Sequence, residues 1–154
     1  MRPPVRPQAS AVQRTVAAAY LLAAIAAVAT SSQLTPNPSG MGTHRQLGLP
    51  GCGTLASSGY PCATCGMTTA ATHLVHGDLL SALRVHPIGT VLFVVFLMGA
   101  VPAAAALFSG VNVWIVLQQY HPTRWALLAL ALVIGQWLMR LAVGAFSGLY
   151  PMYP

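Results

Sequence analysis

The chain contains no lysine and only one acidic residue, Asp78, and charged residues make up 5% of its 154 positions. About one quarter of the residues in a soluble domain are charged, so this chain has too few charges to cover a surface exposed to water. Apolar residues make up 56% of the sequence, and its mean hydropathy is +0.68. The composition therefore predicts an all-α integral membrane protein whose main partner is the lipid bilayer.

The near absence of acidic residues also narrows the possible functions. With a single carboxylate side chain, general acid–base catalysis has few candidates besides histidine, and a non-enzymatic role is favoured. The seven arginines give a net charge of +6, but they are spread along the chain beside apolar segments. This distribution argues against nucleic-acid binding and favours contact with lipid headgroups.

Three apolar segments are long enough to be transmembrane helices, at residues 15–34, 88–108 and 124–144. The first segment has an alternative interpretation as a cleaved signal peptide, because Ala27-Val28-Ala29 follows the small-x-small cleavage pattern. We favour a retained helix, preceded by a disordered cytoplasmic tail over residues 1–14. Pro102 predicts a kink in the second span.

The remaining segments are polar or rich in helix breakers. Residues 35–61 form a loop in which proline and glycine are expected to break any regular element. Residues 62–86 carry a cysteine motif followed by one or two short interfacial helices, with Asp78 as a helix cap. Residues 109–123 are an interfacial connection and residues 145–154 an aromatic tail. The arginines favour a cytoplasmic N-terminus, which places the cysteines outside the cytoplasm.

Small residues recur at four-residue spacing in each span, which allows close helix packing within the chain or with other membrane proteins. The pairs and triplets are Ala19, Ala23 and Ala27; Gly99 and Ala103; and Ala131 and Gly135.

The cysteines are the strongest candidates for chemistry. Cys62 and Cys65 form a Cys-x-x-Cys motif, and Cys52 lies in the preceding loop. The pair alone is half of a four-ligand zinc site, but Cys52 would make a three-sulfur site. Three alternatives stay open: a structural disulfide, a metal site, and a redox pair with Cys52 as the resolving thiol. A structural role is favoured.

Two histidines follow the motif. His73 and His76 are spaced to meet on one helix face and are possible metal ligands, although interfacial side chains bonded to backbone or water are more common. His86, directly before Pro87, has the same common interpretation. Cys65, Thr69, Thr72 and His76 share one helix face, and we expect this stripe to face solvent rather than a pocket.

One charged residue, Arg140, lies inside the third span, with Gln136 one turn earlier. Charge within a membrane is a candidate for function. Because Arg140 lies near the end of the span, it could also extend to the membrane surface. The sequence leaves both possibilities open.

The run Cys62-Ala-Thr-Cys-Gly-Met-Thr-Thr-Ala70, followed by Gly77-Asp78 and Pro87, resembles a family of small bacterial membrane proteins catalogued as domain of unknown function 2752. The family's usual pattern is Cys-Pro-x-Cys-Gly-x-Thr-Arg-Ala, so Ala63 and Thr69 depart from it. The resemblance covers about residues 50–108. It implies an integral membrane protein in a bacterial cell membrane and supplies no reaction.

These observations leave three hypotheses for function. The first is a structural or accessory membrane component with a bridged or metal-binding cysteine loop. The second is a membrane thiol–disulfide oxidoreductase that uses Cys62 and Cys65. The third is an extracytoplasmic metal-handling protein.

Overall fold

The fold is a small bundle of helices, described by a computed structural model for residues 8–110, 112 and 121–149. Within these residues, three helical stretches are long and apolar enough to cross a membrane, at residues 11–33, 87–108 and 122–146. The predicted all-α, three-span class is therefore confirmed. The helices are α1 (Ala11–Gln33), a 3-10 helix (Thr43–Leu47), α2 (Gly53–Ser58), α3 (Met67–Val75), α4 (Leu79–Val85), α5 (Pro87–Met98), α6 (Ala100–Phe108) and α7 (Pro122–Phe146).

The first helix begins earlier than the sequence pattern predicted. Ser10 and Gln13 form a capping box, in which each side chain accepts a hydrogen bond from the backbone N–H of the other residue. Residues 11–14 are therefore the first turn of α1 and not part of a disordered tail. Residues 1–7 of that tail, most of the predicted connection at 109–123, and the last five residues of the aromatic tail lie outside the described residues.

The predicted kink in the second span is a break between α5 and α6 at Gly99, three residues before Pro102. A proline removes the hydrogen bond to the residue four positions earlier, and its ring crowds that residue's carbonyl. For Pro102 that residue is Met98, so the break falls where the proline acts. Gly99 also lies against α1, where an added Cβ would clash with the Tyr20 hydroxyl.

The loop over residues 35–61 contains two short helices, so the expectation that it holds no regular element is wrong. The 3-10 helix is flanked by Gly42 and Gly48, and α2 ends at Gly59. All three glycines have a positive φ. The glycines therefore delimit these helices at their ends and do not interrupt them.

The face of α1 that packs inside the bundle carries Ala17, Ala24 and Ser31, which are all buried. The predicted stripe is on another face, since Ala19 and Ala23 are exposed. In α7, Ala131 and Gly135, the small-residue pair of the third span, are exposed as well. The use of these exposed small residues by a partner stays a prediction.

The bundle has two ends with different contents. At one end, Arg14 donates to the carbonyl oxygen of Leu107 at 2.9 Å, and the Ala9 N–H donates to the carbonyl of Gly110 at 2.8 Å. The other end holds the C-terminus of α1, the helices from residue 43 to residue 85, and the N-terminus of α5. We call this the cysteine end, because all three cysteines lie in it.

Candidate thiol site

The three cysteines converge although ten residues separate Cys52 from Cys62. Their sulfur atoms all lie within 4.8 Å of one another, and the Cys62 and Cys65 Sγ atoms are 3.3 Å apart. Three thiolates on one metal, at bonds of about 2.3 Å, would have sulfurs about 3.8 Å apart in a tetrahedral arrangement. The observed separations therefore suit either a shared metal ion or thiol–disulfide exchange.

Local structure brings each sulfur to the cluster. Cys52 is the residue before α2, and its carbonyl accepts the Ala56 N–H of the first turn. Cys62 and Cys65 are joined across a turn by a backbone hydrogen bond of 3.1 Å. Gly66 then begins α3 with φ of 95°, and a Cβ there would lie 2.9 Å from the Gly40 carbonyl oxygen. A glycine directly after the second cysteine is thus required by both conformation and space.

The thiols of Cys52 and Cys65 differ in acidity. Burial acts to raise the pKa of Cys52, but the Leu55 backbone N–H and hydrogen bonds with Cys65 and Cys62 outweigh it and lower the pKa to about 6. Burial raises the pKa of Cys65 to about 12, and its hydrogen bonds with the other two cysteines act in the same direction. At neutral pH, Cys52 is therefore a thiolate, whereas Cys65 carries a proton.

The cluster is open on one side. It lines a pocket of about 1050 Å³, whose other walls come from the 3-10 helix region, α2 and the start of α3. Cys52 and Cys62 are partly exposed, whereas Cys65 is 7% exposed. A ligand arriving through this pocket can reach two of the sulfurs.

Neither histidine named as a possible ligand is part of the cluster; within the described residues, the grouped donor atoms are those of the three cysteines. His73 Nδ1 lies 3.4 Å from a carboxylate oxygen of Asp78, and Asp78 also accepts the Ser81 N–H at 3.0 Å as the cap of α4. His76 is exposed, and its Nδ1 lies 2.8 Å from the Thr72 carbonyl oxygen.

The polar stripe on α3 does not face solvent as predicted. Thr69 and Thr72 are both fully buried, and Cys65 is nearly so. The hydroxyl of Thr69 lies 2.8 Å from that of Thr43, which fastens the 3-10 helix to α3. Thr72 donates to the Thr68 carbonyl at 2.8 Å. Three of the four stripe residues are therefore buried, with Thr69 covered by the folded loop, whereas His76 at the end of the stripe is exposed. Helical periodicity cannot reveal a covering loop.

Gln136 and Arg140 of the third span turn inward. Arg140 donates to the carbonyl oxygen of Cys65 at 2.9 Å, and Gln136 is buried. Trp137, which the sequence did not single out, donates its Nε1–H to the Pro61 carbonyl at 2.8 Å. The available signal was its position between Gln136 and Arg140 in an otherwise apolar helix.

His86 is 1% exposed and is not an interfacial side chain. Its Nδ1 accepts the Gly89 N–H at 2.9 Å, so its Nε2 carries the proton and donates to the Ala63 carbonyl at 3.0 Å. Burial lowers the pKa of His86, and the nearby charge of Arg140 acts in the same direction. The imidazole is therefore neutral and has one fixed tautomer.

Comparison with known proteins gives one match. No curated protein and no solved structure matches the chain. Residues 52–100 contain all three cysteines, α3, α4 and most of the second span, but not α1 or α7. Those residues match the model of the family described as "Protein of unknown function (DUF2752)", which confirms the resemblance carried by the pattern from Cys62 to Pro87.

Proposed function

We propose that this membrane protein binds and exchanges a soft metal ion through Cys52, Cys62 and Cys65. The observation that carries the proposal is the convergence of three sulfurs within 4.8 Å on the wall of an open pocket. Thiolate ligands favour ions such as Zn²⁺ and Cu⁺. Three protein ligands and an open fourth position are typical of sites whose metal reacts or exchanges, whereas structural zinc sites are closed by four.

The acidity of the cluster supports this assignment. Metal ligands bind as thiolates, and the lowered pKa of Cys52 supplies one without further proton loss at neutral pH. On binding, the metal would displace the proton of the buried Cys65 thiol, which leaves to solvent. Metal binding at neutral pH therefore releases fewer than three protons.

The test is titration of the purified, reduced protein in detergent with Cd²⁺, whose bonds to thiolate sulfur give a near-ultraviolet charge-transfer absorption. We expect one Cd²⁺ per chain and loss of the absorption in Cys52→Ser, Cys62→Ser and Cys65→Ser. His73→Ala and His76→Ala are matched controls, expected to bind as the parent does. Equal binding by the parent and a variant without cysteines would overturn the proposal.

A second function is supported by the 3.3 Å separation of the Cys62 and Cys65 sulfurs. In this alternative the two thiols together lose two electrons and two protons and become one disulfide. A disulfide of a partner protein gains them and becomes two thiols. Recovery of a mixed disulfide with Cys62→Ser or Cys65→Ser, with no Cd²⁺ bound to the parent, would favour this alternative.

We further propose that the cysteine end lies outside the cytoplasm of a bacterial cell. By sequence position, Arg2, Arg6, Arg14 and Arg124 fall on the side of the N-terminus, against Arg45 and Arg84 on the side of the cysteines. An excess of arginine favours the cytoplasmic side. In a chain without native cysteines, exposed Ser57→Cys on α2 and exposed Ser109→Cys after α6 report the two ends. A membrane-impermeant maleimide applied to intact cells should label Ser57→Cys and not Ser109→Cys. The reverse pattern would invert the topology.

A further inference from the structure

Three alternate carbonyls of the cysteine turn each accept a hydrogen bond from a side chain outside that turn. Trp137 donates to Pro61 at 2.8 Å, His86 to Ala63 at 3.0 Å, and Arg140 to Cys65 at 2.9 Å. We call the three donors the carbonyl clamp. They lie 23 to 76 residues from their acceptors along the chain, so the tertiary fold alone brings them together.

All three donors of the carbonyl clamp depend on the third span. Trp137 and Arg140 are residues of α7, and the third donor is oriented by α7 as well, since Gln136 Nε2 lies 3.2 Å from His86 Nδ1. Because Nδ1 of His86 accepts from the Gly89 N–H and faces the Gln136 amide nitrogen, the proton of the ring is on Nε2. This Nε2–H donates to the Ala63 carbonyl. Gln136, Trp137 and Arg140 occupy one side of one helical turn, where three- and four-residue spacing brings side chains together.

The clamp acts on the geometry of the sulfurs. A backbone turn with three free carbonyls could rotate its peptide planes, and the Cys62 and Cys65 side chains would move with them. The three donors fix alternate peptide planes, so the directions of the two Cα–Cβ bonds are fixed. The Arg140 guanidinium also brings a positive charge to the carbonyl of Cys65.

We propose that Trp137 and Arg140 are positioning residues for the thiol site, so that α7 sets its metal affinity without touching the metal. This inference rests on the proposed function. It goes further because α7 lies outside the family match at residues 52–100. Outer hydrogen-bond partners of metal ligands are commonly worth about 10- to 100-fold in affinity, and we expect a loss in that range for each residue.

The experiment compares full-length Trp137→Phe, Arg140→Gln and Arg140→Lys with the parent chain. Met139→Leu, an exposed position on the same helix turn, is the matched control. Two quantities are measured: Cd²⁺ affinity with its charge-transfer spectrum, and the amide hydrogen-exchange rate of residues 62–66 in the metal-free protein. The second does not depend on metal.

If the proposal holds, Trp137→Phe and Arg140→Gln weaken Cd²⁺ binding by about 10- to 100-fold, alter the charge-transfer band and speed amide exchange at residues 62–66. Arg140→Lys keeps a charged donor and restores part of the Cd²⁺ affinity and part of the amide protection. Met139→Leu changes neither the affinity nor the exchange rate. Unchanged exchange and unchanged Cd²⁺ affinity in folded Trp137→Phe and Arg140→Gln would overturn it. If the parent bound no Cd²⁺, the proposed function would be wrong. Unchanged amide exchange in the variants would instead show that the carbonyl clamp does not fix the cysteine turn.

Discussion

Gln136 on α7 joins the polar start of α5 to the third span. Its Oε1 accepts the Ile88 N–H at 2.9 Å, and its Nε2 lies 3.2 Å from Nδ1 of His86. Ile88 is in the first turn of α5, where backbone N–H groups have no partner within the helix. The Gln136 side chain therefore supplies an acceptor for an N–H in the first turn of α5. It also orients His86, which donates to the Ala63 carbonyl.

Replacing Gln136 with leucine should destabilise the protein by about 1–3 kcal/mol, because the Ile88 N–H loses its acceptor in an apolar setting. Thermal unfolding in detergent, followed by helical circular dichroism, measures the change. Met139→Leu on the exposed side of the same helix is the control and should shift the midpoint little. A Gln136→Leu protein as stable as the parent would show that water replaces the amide.

Stability should fall as the pH is lowered through the range of His86. Burial lowers the pKa of this side chain below its ordinary 6.5, so the folded state holds it neutral while the unfolded chain takes up a proton. The contribution of the neutral His86 imidazole to the free energy of unfolding is complete above about pH 6.5. It is lost as the pH falls through the folded-state pKa of His86. The thermal midpoint, recorded between about pH 7.5 and about pH 5, measures the loss.

Asp78 does not contribute to that pH profile, whereas Cys52 does. The pKa of Asp78 is lowered from 3.8 by its hydrogen bonds with Ser81, so it titrates below the window. Cys52 has its lowered pKa of about 6 inside the window, and Cys52→Ser is therefore the proper background. In that background, a profile equal to that of His86→Gln would refute the assignment to His86.

Cys52 should be the most reactive thiol of the metal-free protein near neutral pH. Thiolate is the nucleophile, and the pKa of Cys52 is lowered to about 6 while that of Cys65 is raised to about 12. Alkylation by iodoacetamide, read by peptide mass spectrometry at several pH values, should give Cys52 a midpoint near 6. Cys65 should react slowest. A Cys52 midpoint at the ordinary value for a free thiol would contradict this.

Gly99→Ala should destabilise the bundle by about 1–3 kcal/mol through overpacking. The added Cβ would meet the Tyr20 hydroxyl, which donates to the Phe96 carbonyl at 2.6 Å. Gly135→Ala is the matched control, because nothing lies within 4 Å of a Cβ there. In α7 that substitution should be neutral or slightly stabilising. Equal thermal midpoints for the two variants would mean that Tyr20 moves aside at no cost.

The membrane class, the three spans and the helix after Cys65 could be predicted from the sequence, since each depends on local composition, length or spacing. The same was true of Asp78 as the cap of α4 and of the effect of Pro102. The start of α1 was missed because the capping pair at Ser10 and Gln13 lies before the apolar run. The buried threonine stripe was misjudged because a loop covers it.

The sequence by itself determined which side chains could do chemistry: three thiols, two of them at a turn, in a chain almost without acids. Tertiary structure decided which of them meet. Cys52 joins Cys62 and Cys65 because α2 and the glycine-bounded loop fold back, while His73 and His76 bond elsewhere. It also decided that Arg140 turns inward. In an apolar span, the carbonyl of Cys65 offers that charge a hydrogen-bond acceptor, and no local pattern in the sequence specifies so distant a partner.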